Sequence, residues 1–194
     1  MSVRGSKTQY GWLAIVLHWL MAPAIIGLFF LGWWMRSLTY YDAWYREGPI
    51  LHKSIGILLL AVLLVRLLWK LMDRSPAAEA GTPRWQALAA RLTHVALYAL
   101  LLVIMTSGYL ISTADGRPIE VFDWFSVPAT IQGIVHQEDI AGQVHKFLAW
   151  SLMALVSLHA LAALKHHFID RDATLRRMLG LAPKPDNSTT LTTQ

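Results

Sequence analysis

Four stretches of this chain are each long and apolar enough to cross a lipid bilayer, and no other feature restricts its fold so strongly. They run over about residues 11–35, 50–72, 91–113 and 140–168, and each exceeds the ~20 residues that a spanning helix needs. Segments such as 56–65 (GILLLAVLLV) and 98–105 (YALLLVIM) have no polar stripe, whereas a soluble bundle needs one on its outer face. Only 15% of the 194 residues are charged, against ~25% in a soluble domain. The first stretch is too long for the apolar core of a signal peptide, and no small-residue cleavage site precedes its aromatic end at 29–34 (FFLGWW). The expected fold is all-α, an integral membrane four-helix bundle. It forms one domain over 1–182, and a polar, Ser/Thr-rich tail at 183–194 is expected to be disordered and cytoplasmic.

Four spans bring both termini to one side, and the basic residues choose which. Of 17 Lys and Arg, twelve fall in the N-terminus, the 73–90 loop, the C-terminal region and the adjoining helix ends, and five on the opposite side. The positive-inside rule then places both termini in the cytoplasm. The net charge of +5 is a topology signal and gives no reason to expect nucleic acid. Tryptophans near the helix ends (Trp12, Trp33, Trp34, Trp69, Trp85, Trp124) fit an interfacial aromatic belt. In the outer loop at 114–139, Phe122, Trp124, Phe125 and Val127 are expected at the interface.

With no cysteine in the chain, disulfides, iron–sulfur clusters, thiolate zinc sites, a Cys nucleophile and thioether-linked haem are excluded. Histidine is left as the cofactor ligand. His18 lies 7 residues into the first span, ~10 Å from its inner start. His159 lies 9 residues before the inner end of the fourth, ~13 Å deep. His52 and His145 lie near the outer ends of the second and fourth spans. His145 and His159 are 14 residues apart, about four turns less 40°, so they share one helix face at ~21 Å separation. Depth pairs His145 with His52 and His159 with His18. A lone intramembrane histidine is adequately explained by an interhelical hydrogen bond. Four of them, matched in depth and phase, point to axial ligation of two b haems stacked across the bilayer.

Ala22, Gly56 and Ala149 each follow a paired histidine by four residues and leave room on its face. Arg66, 14 residues after His52, shares that histidine's face at the depth of the inner pair. A buried arginine needs an anion, which a haem propionate would supply; alternatively it snorkels to the interface beside Lys70. His94 reads as shallow and interfacial, and His136 as solvated. His166, seven residues past His159 on the same face, is a better candidate for a quinone site than His167.

The chain resembles the bacterial cytochrome b561 family, a four-helix di-haem group that includes superoxide oxidase. The resemblance covers about residues 8–180. It rests on His18-Trp19, on LHKSIGILLLAVLLVRLLWKL in the second span, and on LTHVALYALL with SGYLIST in the third. The run HKFLAWSLMALVSLHALAALKHHFIDRDATLRRMLG from His145 completes it, its ALKHHF being the most specific part. The resemblance implies haem b ligation at His18, His52, His145 and His159, ubiquinone or another membrane quinone as electron partner, and superoxide or another periplasmic electron donor. The outer loop carries Asp115, Glu120, Asp123, Glu138 and Asp139, which oppose an anion. Lys53 and Lys146, each beside a paired histidine, can offset them and guide an anion to the outer face.

The expected function is therefore that of an oxidoreductase coupling superoxide oxidation to ubiquinone reduction, alone or as a homodimer. One alternative is a haem-bearing membrane anchor of a larger dehydrogenase or hydrogenase. Another is a haem-free metal transporter using the histidines. Transport ligands should cluster at the midplane, often with carboxylates, and these span interiors contain no Asp or Glu.

Overall fold

The computed structural model describes residues 2–79 and 81–181; the tail expected at 183–194 lies outside them. A bilayer offers no water to backbone polar groups, so apolar stretches of this length satisfy them within helices. Four such helices form among the described residues: α1 (Trp12–Met35), α2 (Glu47–Met72), α3 (Arg84–Ser112) and α4 (Gln137–Lys165). Even α1, with 24 residues, is about 36 Å long and exceeds the ~30 Å hydrocarbon core. The chain is a four-helix membrane bundle. α1 lies along α2 and α3 along α4, and the two pairs meet around Met21, Leu59, Leu63, Leu101 and Leu152. Only 6–17% of each helix's most apolar stretch is buried inside the protein. Leu68, Phe147 and Leu158 remain 60%, 71% and 63% exposed, a surface suited to lipid.

The α3 start differs from expectation. Hydropathy delimits the span at Arg91, but the helix begins at Arg84, directly after extended Pro83. Arg84 and Arg91 lower the apolar score of this first stretch without interrupting its helical hydrogen bonding.

The two ends of the bundle are built differently. At one, Gly5 N–H donates to Asp73 Oδ1 (2.8 Å) and Ala77 N–H to the Lys7 carbonyl (3.0 Å). Arg177 donates to the Ala77 carbonyl (3.0 Å) and pairs with Glu79 (2.9 Å). Trp19 Nε1 donates to the Met178 carbonyl (2.9 Å). The N-terminal segment, the α2–α3 connection and the short C-terminal helix α5 (Thr174–Met178) thus gather at one end, termed here the terminal end.

The opposite end carries a β-hairpin, β1 (Ile119–Val121) against β2 (Phe125–Val127). Its turn places Phe122 at φ 48° and Asp123 at φ 57°. Sequence reading foresaw interfacial aromatics here but no strands, because the Asn-Gly or Asp-Gly pair that marks such a turn is missing. The buried Ser54 Oγ accepts from Phe122 N–H (3.3 Å) and donates to the Glu120 carbonyl (3.3 Å), pinning the hairpin to α2.

Candidate functional site

The histidines paired by depth lie together. The ring centres of His18 (α1) and His159 (α4) are 6.4 Å apart, inclined at 64°. Those of His52 (α2) and His145 (α4) are 6.2 Å apart, inclined at 71°. Both pairs bridge the α1–α2 unit to α4, where helix–helix packing is sparse. A metal–imidazole bond of about 2 Å, plus about 1 Å from nitrogen to ring centre, puts two rings on one iron about 6 Å apart. The observed separations fit that requirement.

The surroundings of the hairpin-end pair fit it as well. His145 Nδ1 faces the Ile104 carbonyl (3.0 Å) and Ser107 Oγ (3.1 Å), and Ser107 gives its own proton to that carbonyl (2.7 Å). Nδ1 is therefore the protonated nitrogen, and Nε2 keeps its lone pair for a metal. His52 Nδ1 is buried and has no hydrogen-bond partner among the described residues. Two glycines admit these rings. A Cβ on Gly32 of α1 would stand 3.0 Å from His52 Cε1, and one on Gly108 of α3 would stand 3.2 Å from His145 Cε1. At Gly56, one turn past His52, a Cβ would meet nothing within 4 Å, so that face is open.

Sequence reading missed Gly32, Ser107 and Gly108 as parts of the site, although SGYLIST contains the last two. Matching depth across all four helices, rather than among histidines alone, would have found them.

At the terminal-end pair, Arg66 turns into the bundle. Its Nη2 lies 2.9 Å from His18 Nδ1, its Nη1 3.8 Å from Met21 Sδ, and its guanidinium 5.7 Å from the Tyr98 ring centre. The side chain thus contacts His18 and Tyr98, and Lys70 also reaches the Tyr98 ring at 5.9 Å. A guanidinium only donates, so His18 accepts at Nδ1 and carries its proton on Nε2. To offer Nε2 to a metal, His18 would need its proton on Nδ1, and Arg66 would have to give up that contact.

His94 is a correction too. Because α3 begins at Arg84, His94 lies nearly three turns inside the helix, and its ring centre is 5.3 Å from that of His159. Inclined at 68° and closer than the ~6 Å of two rings on opposite sides of one iron, it is a neighbour of the pair.

Lys53 is half-buried and Lys146 exposed, each one residue past a paired histidine and so turned about 100° from it. His136 is exposed at the start of α4, 3.7 Å from Asp139. His166, on the π-helical turn His166–Asp170 that follows α4, lies 2.6 Å from Asp172 and 3.1 Å from Asp170. Sequence reading had not assigned it these carboxylates.

Residues 9–181 match the family described as prokaryotic cytochrome b561. Cytochrome b561 homolog 2 of Escherichia coli (strain K12) is 51% identical over 180 residues, covering 93% of this chain and 96% of the relative. Cytochrome b561 homolog 1 of the same strain is 29% identical, covering 91% and 97%. The probable superoxide oxidase CybB of Yersinia pestis is also 29% identical, covering 88% and 96%.

Proposed function

The chain belongs to the prokaryotic cytochrome b561 family, and on that premise we propose that it carries two b haems and moves electrons from superoxide at its hairpin end to a membrane quinone at its terminal end. As a family member it is a bacterial membrane cytochrome that binds haem b and transfers electrons. The observation that carries the finer reading is the duplicated histidine pair, at 6.2 and 6.4 Å, bridging the same helices at two depths. His52 and His145 hold one haem, His18 and His159 the other. Each haem, when bound, supplies a one-electron Fe(III)/Fe(II) couple.

The chain supplies the rest. The hydrogen bond from His145 to the Ile104 carbonyl fixes that ring and raises its basicity as a ligand. Arg66 neutralises a propionate of the terminal-end haem. Lys53 and Lys146 draw a small anion to the hairpin end against the acidic loop. His166 faces the quinone and moves a proton. Two superoxide ions each lose one electron to become dioxygen; the quinone gains two electrons and two protons. The chain forms a single domain over 1–182 in the inner membrane, and the distribution of basic residues supports a cytoplasmic terminal end.

Reconstitution with ubiquinone in liposomes tests this reading. Superoxide generated outside should bleach as the haem α-band rises, and ubiquinol should form at one per two superoxide consumed. A haem-loaded protein that neither accepts electrons from superoxide nor passes them to ubiquinone would contradict it.

A further inference from the structure

Where α4 runs out, the chain folds back on His166. After the π-helical turn His166–Asp170, Arg171 adopts φ 55°, and the N–H groups of Arg171 and Asp172 both bind the His166 carbonyl. This reversal brings Asp172 Oδ2 to 2.6 Å from His166 Nδ1, with Asp170 Oδ2 at 3.1 Å. A carboxylate oxygen only accepts, so Nδ1 carries the proton. Asp170 is shared with Lys165 Nζ at 2.7 Å. Asp172 has two separate tasks: its Oδ1 accepts Thr174 N–H (2.9 Å) and caps the turn into α5, and its Oδ2 holds His166. The cap needs one oxygen only; the second is spent on the imidazole.

We propose that Asp172 is a positioning residue that makes His166 Nε2 the proton donor to the quinone at the terminal end. This rests on the reading that a quinone docks beside His166. Among the described residues, the charged groups facing the ring are Asp172, Asp170 and, through Asp170, Lys165. Burial opposes charge on Asp172, but hydrogen bonds from Thr174 and His166 hold its carboxyl below the usual range. It is therefore an anion at neutral pH and accepts the Nδ1–H. For each electron that reaches the quinone, the Nε2–H bond breaks and an O–H bond forms on a quinone oxygen. The neutral ring keeps Nδ1–H on Asp172 and presents the Nε2 lone pair to solvent for the next proton. Two such cycles deliver the two protons of quinone reduction. Without the carboxylate the neutral ring divides between tautomers, and in the Nε2–H tautomer Nε2 has no lone pair to take up the next proton. The side chains of His166 and Asp172 are 22% and 18% exposed, enclosed enough to hold a geometry and open enough to reload from water.

The test uses full-length, haem-loaded protein with ¹⁵N-labelled histidine. Nitrogen NMR reports the His166 tautomer, assigned with His166→Ala. Reoxidation of the chemically reduced protein by ubiquinone gives kcat and KM. Asp172→Asn keeps the Oδ1 cap and turns an amide donor onto Nδ1. It should move the proton from Nδ1 to Nε2 in the neutral ring and lower kcat about tenfold or more, with KM little changed. Asp172→Glu should restore the wild-type tautomer and part of the rate. An unchanged tautomer in Asp172→Asn overturns the proposal, as does a switched tautomer with a wild-type rate while His166→Ala is slow. Wild-type rates in both Asp172→Asn and His166→Ala, with the tautomer switched, remove the quinone from His166 and overturn the reading beneath.

Discussion

Replacing Gly32 by alanine should weaken the hairpin-end haem and spare the other. The added Cβ would stand 3.0 Å from His52 Cε1 and 3.5 Å from Nδ1. Carbon atoms pack without repulsion at about 3.5 Å or more, so the ring must retreat by about 0.5 Å. A metal site tolerates errors of about 0.2 Å in its ligand distances, and the displacement is more than twice that. Overpacking costs about 1–3 kcal/mol. Expressed entirely in haem retention, at about 1.4 kcal/mol per decade, this is roughly fivefold to more than a hundredfold weaker binding. Gly108→Ala is milder, because its Cβ would lie 3.2 Å from His145 Cε1. Gly27→Ala, where a Cβ meets nothing within 4 Å, is the control. Haem per chain and resolved redox titration of the purified variants measure the effect. Equal haem retention in Gly32→Ala and Gly27→Ala, or loss of the terminal-end haem instead, would refute the reasoning.

Three further outcomes are expected. Arg66→Leu should lower the potential of the terminal-end haem relative to Arg66→Lys by on the order of tens of millivolts, because a partly buried cation favours the added electron; equal potentials in a redox titration would remove that role. Lys53→Ala and Lys146→Ala should each slow haem reduction by superoxide several-fold, and the wild-type rate should fall with added salt; stopped-flow traces insensitive to both would exclude electrostatic guidance. Asp172, with its carboxyl held below the ordinary range, stabilises the terminal end fully above about pH 4 and loses that contribution as pH falls through its lower folded-state value. Hydrogen exchange corrected for intrinsic rates should accordingly rise around α5 on acidification before it rises in the bundle core, and a uniform rise would contradict this.

Much of the architecture was legible because a bilayer forbids most alternatives. Apolar length alone identifies the four helices, and the fixed rise and rotation of a helix then set the depth and face of His145 and His159. That same rigidity put their partners within reach without any knowledge of loops. Where side chains do not follow a helical period, reading failed. The hairpin at Ile119–Val127 depends on two non-glycine residues, Phe122 and Asp123, in left-handed backbone, a conformation their identities do not announce. Asp172 meets His166 only because a π-helical turn and Arg171 reverse the chain, so regular helical phase misplaces it. His94 was set too shallow because charge at Arg84 and Arg91 truncates a hydropathy span but not a helix. Arg66 was ambiguous for a different reason: its long side chain can reach either the interface or His18, and packing against Tyr98 decides.

The central claim is that the four histidines form two ligand pairs at two depths. Haem quantitation by pyridine haemochrome, on the wild type and the four single alanine variants, with resolved reduced-minus-oxidised spectra, tests it most directly. Two haems per chain are expected in the wild type and one in each variant. His18→Ala and His159→Ala should share one residual spectrum, and His52→Ala and His145→Ala the other. One haem per chain in the wild type, or a shared residual spectrum between His18→Ala and His145→Ala, would contradict the account.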